Sequence, residues 1–206
     1  GSAFCAEIHD AVSNNDPAMV SALLDSDPSL LELRDEQEMT PLNLASINGN
    51  AEIARLLIER VADIHAGDAD NSQPIHCAAI AGNIPIIEML LNKGVNINEQ
   101  DNNGSTPLTF AAARRQTETV RYLLGKGADL RIRNAQGMTP LFFAQSAEVA
   151  MLMLDKGCDV NARASDSTTV LHNAAARGRV ELVRFLLHKG INANASTTAG
   201  NKPLFW

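Results

Sequence analysis

The chain has 206 residues, of which 45% are apolar, 20% charged and 4% aromatic, with a net charge of −7. This composition excludes a disordered chain, and no apolar run approaches the roughly 18 to 20 residues of a membrane helix, which excludes membrane insertion. Three cysteines, Cys5, Cys77 and Cys158, stand far apart and outside any Cys-x-x-Cys pair, which argues against a disulfide framework or a zinc site and suits a reducing compartment.

In chain order, Gly1-Ser2 reads as the remnant of a cleaved tag, so residues 1–4 are expected to be an irregular start. Residues 5–34 are expected to form an N-terminal capping unit, with Ile8-His9-Asp10-Ala11 in the place of a helix start and Asn15-Asp16 in that of a turn. A 33-residue period then governs the chain. Thr40-Pro41-Leu42 is followed by Gln73-Pro74-Ile75-His76, Thr106-Pro107-Leu108 and Thr139-Pro140-Leu141, with prolines at 41, 74, 107 and 140. Thr169-Val170-Leu171-His172 comes 30 residues later, and Lys202-Pro203-Leu204 another 33 after that. Threonine before proline is a helix N-cap with proline at the first helical position. Each such site predicts a short helix of small residues, as in 107–113. Gly49, Gly82 and Gly178 mark a left-handed turn. A second helix follows with apolar residues at helical spacing, as in 180–187. The Lys-Gly pairs at 93–94, 126–127, 156–157 and 189–190 end these second helices. The units so defined span 35–67, 68–100, 101–133, 134–163 and 164–196, and a further one opens at 197–206. Such a helix pair cannot bury its apolar face alone, whereas stacked neighbours can.

These units resemble ankyrin repeats. Residues 101–133 carry the match most fully, through Gly104, Thr106-Pro107-Leu108, Ala111-Ala112, Leu123-Leu124 and Gly127-Ala128-Asp129. The resemblance covers nearly the whole chain. It implies an all-α solenoid of stacked helix-turn-helix units with projecting β-hairpin-like loops. It also implies a non-catalytic module that binds a partner protein or peptide on its concave face. Carried over by position, that face holds Met39, Asp70, Asn103 and Met138 at the tips. Ile47, Ile80, Arg114 and Arg177 fall on the first helices, with Arg115 beside Arg114. Arg131, Arg133 and Arg163 lie on the segments leading to the tips. His76 and His172 stand where this family's imidazole braces the turn.

Charge is uneven: residues 1–100 hold 16 Asp/Glu and 4 Lys/Arg, residues 101–206 hold 8 and 13. The arginine-rich half is expected to receive an acidic or phosphorylated peptide, because the guanidinium fork binds carboxylate and phosphate bidentately; the plain alternative is a solvated charged rim. Met39, Ile47, Ile80 and Met138 serve as apolar anchors for the partner or simply pack between repeats. The acidic half and the scarcity of aromatics argue against nucleic acid as partner. A monomer is expected, with weak head-to-tail association of the two halves as an option. The expected location is the cytoplasm, or a host cytoplasm if the chain is a secreted bacterial effector. No catalytic triad, phosphate loop or metal cluster stands out, so neither cofactor nor catalysis is expected. The rival reading is the substrate-recruiting domain of a larger enzyme, since the last unit stops at Trp206 inside a first helix.

Three departures stand out. The unit at 134–163 is three residues short, and Ala144-Gln145-Ser146-Ala147-Glu148 runs through the place of the inter-helix glycine turn. It is either a tolerated deletion that shortens the first helix or a change that shapes a groove. Arg115 replaces a turn glycine, and Val61 replaces a helix-ending one.

Overall fold

The structure, a computed structural model, describes residues 2–203, and side chains from residue 7 onward. It divides into two compact units, Gly1–Asn102 and Asn103–Trp206. The first holds α1 (Ser2–Ser13), α2 (Pro17–Ser26), a 3-10 turn (Pro28–Glu32), α3 (Pro41–Asn48), α4 (Ala51–Glu59), α5 (Pro74–Ala81) and α6 (Ile84–Asn92). The first helices α1, α3 and α5 stack in one layer, and α2, α4 and α6 in a second. Buried Ala45, Ala78 and Ala79 let the first layer approach closely. Helix α4 buries Ile53, Ala54, Leu57 and Ile58, one stripe at helical spacing. Each fully buried aliphatic side chain, such as Leu42, Ile75 or Leu90, contributes about 1.5–3 kcal/mol.

The second unit holds α7 (Pro107–Ala113), α8 (Thr117–Gly125), a 3-10 turn (Pro140–Phe143), α9 (Ala147–Asp155), α10 (Val170–Ala176) and α11 (Val180–His188). Helix α7 packs on the 3-10 turn, which packs on α10, while α8, α9 and α11 follow one another in the other layer. Each unit is therefore an all-α stack of helix pairs.

The helix starts explain the repeat signature. Thr40 and Thr106 accept the amides of Asn43 and Thr109 on their hydroxyls (3.2 and 3.3 Å). The third helical residue then reaches back and outward. His76 Nδ1 accepts the Gln73 amide (3.1 Å), and its Nε2 donates to Glu99 O (3.0 Å). His172 bonds the Thr169 amide and Asn201 O in the same manner (both 3.1 Å). Asn43 does the same work with an amide: Oδ1 accepts the Thr40 amide (3.0 Å) while Nδ2 donates to Ala66 O (3.0 Å).

The loops between units are tight tips nucleated by Asp or Asn. Asp35, Asp68 and Asn134 each accept two tip amides on one side-chain oxygen. Neighbouring tips are tied by Asn102 N to Asp70 O (2.9 Å) in the first unit and by Ala135 N to Asn103 O (2.8 Å) in the second. Extended pairing assigned among the described residues is one antiparallel bridge, Arg163 to Thr169.

Two expectations differ at the start of the chain. Helix α1 already includes Ser2–Phe4, and Ile8-His9-Asp10-Ala11 lies inside it and not at its start. Leu204-Phe205-Trp206 and the Cys5 side chain lie outside the described residues.

Candidate functional site

The unit at 134–163 departs from its neighbours in one place. Helices α7 and α10 each run seven residues, whereas Pro140–Phe143 is a four-residue 3-10 turn. The chain leaves that turn at Ala144 (φ −55°, ψ 123°) and is extended at Ser146, whose hydroxyl accepts the Val149 amide (3.2 Å) to cap α9. Part of the reason lies at the helix start. Phe142 occupies the place held elsewhere by Asn43, His76, Thr109 and His172, and it has no polar atom to return to the cap. Thr139 Oγ1 is accordingly buried without a partner. Phe142 instead packs, 1% exposed, against Ala162 and Ala164, with Met138 and Phe143 alongside.

A helix cut short leaves carbonyls that no later turn can bond. The following repeat supplies the donors: Asn173 Nδ2 to Phe142 O (3.2 Å) and Arg179 Nη1 to Ala144 O (2.9 Å). What remains is a notch in the second unit. One hollow of ≈ 290 Å³ has walls of Phe110, Ala113, Phe142 and Phe143, closed by Arg114, Gln145, Asn173, Arg177 and Arg179. A second of ≈ 380 Å³ shares Gln145, Arg177 and Arg179 with the first and adds Arg115, the start of α9 and the first turn of α11.

Arg114, Arg115, Arg177 and Arg179 border these hollows, and none is in an ion pair among the described residues. Arg177 Nε donates to Asn173 Oδ1 (2.8 Å), which leaves the rest of its fork uncommitted to that bond. Burial, together with the positive charges of Arg177 and Arg115, holds Arg179 below the usual guanidinium range. Glu181 is the carboxylate on the second hollow's rim. The first amides of α11 have no side-chain acceptor.

Comparison with known proteins bears on what such a stack is. A family model described as "Ankyrin repeats (3 copies)" matches residues 8–101 and 93–164, and one described as "Ankyrin repeats (many copies)" matches 153–204. This chain belongs to the ankyrin-repeat family. A solved structure of the ankyrin repeat domain of Bcl-3, a member of the IkappaB protein family, is similar with a TM-score of 0.76 and 28% identity, covering 96% of this chain and 92% of that one. A 52-residue stretch is 42% identical to the serine/threonine-protein kinase VIK of Arabidopsis thaliana, covering 25% of this chain and 12% of the kinase. A 57-residue stretch is 42% identical to the putative ankyrin repeat protein FPV240 of Fowlpox virus (strain NVSL), covering 28% of this chain and 14% of that protein. The matched stretches thus span a small part of these two curated relatives.

The ankyrin framework sorts the residues proposed from position. In the first unit, Met39 is half-buried and closes its tip through backbone bonds, while its carbonyl also pairs with His9 Nε2 (3.1 Å). Ile47 and Ile80 are half-buried near the ends of α3 and α5, and Asp70 is exposed at a tip. In the second unit, Asn103 is an exposed tip residue, and Met138 packs beside Phe142. Arg114, Arg115 and Arg177 come together at the notch.

The other three arginines are committed elsewhere. Arg131 lies along its own Asp129, with Nε to Oδ1 at 3.0 Å and Nη2 to Oδ2 at 3.1 Å, and it holds that carboxyl below the usual range. Arg133 Nη1 donates to Gly137 O and to Arg163 O (2.5 and 2.6 Å). Arg163 Nη1 donates to Ser167 O and Ser196 O (3.4 and 3.2 Å). Arg34 does the same to Glu38 O and Gly67 O (2.5 and 2.6 Å). Arg133 and Arg163 are thus clamps that fasten a tip to the next repeat.

Position alone missed Phe110, Phe143, Gln145, Asn173 and Arg179. The available signals were the three-residue deletion and the Phe142-Phe143 pair inside it. Among the described residues, burial pushes the Cys77 thiol up to about 12 and the Cys158 thiol up to about 11, away from the nucleophilic thiolate.

Proposed function

We propose that this chain is a non-catalytic protein-binding module whose arginine-bordered notch receives an acidic or phosphorylated segment of its partner. Protein–protein interaction is the general role of the ankyrin stack. The finer reading is supported by one observation: four guanidiniums border hollows that carry a single carboxylate, Glu181. Like charges held together this way lower their mutual repulsion by taking up an anion, and guanidinium suits carboxylate and phosphate oxygens. The module works in the cytoplasm, or in a host cytoplasm if it is secreted, and acts as a monomer.

The test is fluorescence-polarisation binding of labelled acidic and phosphorylated peptides to the full chain and to an Arg114→Glu/Arg177→Glu variant. The charge reversals are expected to weaken binding at least ~10-fold. Equal affinity in the two proteins overturns the reading. A second reading, the substrate-recruiting part of a larger enzyme, draws support from the likeness of one stretch to a plant protein kinase. It is tested by sequencing the complete coding region for a catalytic domain.

A further inference from the structure

The two hollows differ in chemistry, and their union is more selective than either. One has aromatic walls, chiefly Phe110 and Phe143, both half-buried beside the C-terminal end of α7 and the 3-10 turn. The other is bordered by Arg115, Arg177 and Arg179. Arg177, Arg179 and Gln145 line both, so they stand at the seam. A ligand that used only the basic hollow would leave the aromatic wall wet. A purely apolar side chain would leave the arginines uncompensated. The group that satisfies both is a flat apolar ring ending in an anion.

The geometry points to phosphotyrosine of a partner protein as that group, the ring lying against Phe110 and Phe143 and the phosphate between Arg115, Arg177 and Arg179. This rests on the notch being an acidic-ligand site, and it narrows the ligand class. Aromatic rings favour offset or edge-to-face contact with one another, and the half-buried Phe143 lines the aromatic-walled hollow. A phosphate carries about −1.5 to −2 charges at neutral pH and three acceptor oxygens. Two guanidinium forks can therefore be matched at once, where a carboxylate offers one negative charge. Phosphoserine presents the same anion on a stem too short to reach the ring wall as well. Glu181 on the rim disfavours a ligand whose anion sits away from the three arginines.

The experiment uses the full chain and one labelled peptide in four forms: phosphotyrosine, phosphoserine, glutamate and unmodified tyrosine at the same position. The phosphotyrosine form is expected to bind at least ~10-fold more tightly than each of the others. Phenyl phosphate should displace it at a lower concentration than inorganic phosphate does. Phe143→Leu should remove the advantage over phosphoserine, whereas Arg177→Gln should weaken both phosphopeptides. Thermal melts of both variants check folding, and competition by phenyl phosphate needs no variant at all. Equal binding of phosphotyrosine and phosphoserine, or equal displacement by phenyl and inorganic phosphate, overturns the inference. If the glutamate form binds as well as the phosphotyrosine form, this inference fails while the acidic-segment reading stands. If no anionic form binds, both fail.

Discussion

Val61 and Arg115 are among the six described non-glycine residues with positive φ, and each stands where repeat-mates carry glycine between or after helices. Val61 sits at φ 66° where Gly94, Gly127, Gly157 and Gly190 sit at 81–91°. Its side chain is 84% exposed, so it gains little from packing in return. A β-branched residue in the left-handed region is strained. Val61→Gly is expected to stabilise the chain by about 1 kcal/mol, read as a raised Tm. Arg115 sits at φ 60° in the place where Gly49, Gly82 and Gly178 turn. Unlike Val61 it borders the notch, so the strain there sits beside the proposed anion site. His76 is the other residue with a measurable signature. Burial holds its imidazole below the ordinary value of 6.5, so the folded chain binds the proton less readily than the unfolded chain. Its contribution is present above that ordinary value and is lost as pH falls through it toward the lower folded one. Asn43 makes the equivalent bonds without titrating. His76→Asn is therefore expected to flatten the decline of denaturation midpoint on the acid side of 6.5. An unchanged acid decline in that variant refutes the assignment.

At the scale of the element, the short repeat concentrates the differences. Its cap threonine has lost the polar partner that four other repeats provide, and a buried hydroxyl without a partner costs about 1–3 kcal/mol. Thr139→Val keeps the shape and removes the hydroxyl. It is expected to raise the urea midpoint, whereas the same change at Thr40, whose hydroxyl donates to Asn43 Oδ1 (2.7 Å), should lower it. The order of helices was legible in the Thr-Pro and Lys-Gly spacing because these residues act locally, by capping and by positive φ. The notch was legible only as a missing turn. That the shortened segment becomes a 3-10 turn, and that Asn173 and Arg179 satisfy its carbonyls, depends on contacts between repeats some 30 residues apart. The same gap explains Arg133 and Arg163. Their charge suggested a ligand, while the clamp they share with Arg34 shows only in the backbone carbonyls they reach.

At the scale of the whole molecule, the two compact units differ in charge. Residues 1–102 hold 17 Asp/Glu and 4 Lys/Arg, and residues 103–206 hold 7 and 13. Binding of an acidic peptide should weaken as sodium chloride rises from about 50 to about 500 mM, since exposed charges are screened over a shorter distance. Elution volume in size-exclusion chromatography should not change over the same range. A larger species at low salt would instead indicate pairing of acidic with basic units between copies.

The clamps keep their bonds through the shortened repeat. Arg133 reaches Arg163 O across 30 residues as Arg34 reaches Gly67 O across 33. The three lost residues were therefore taken from the inter-helix edge alone, and the fingertip edge never lost count. One margin of this protein can be carved while the other stays in step. Removing three residues around Ala81-Gly82-Asn83 would be the way to cut a second recess into the first unit.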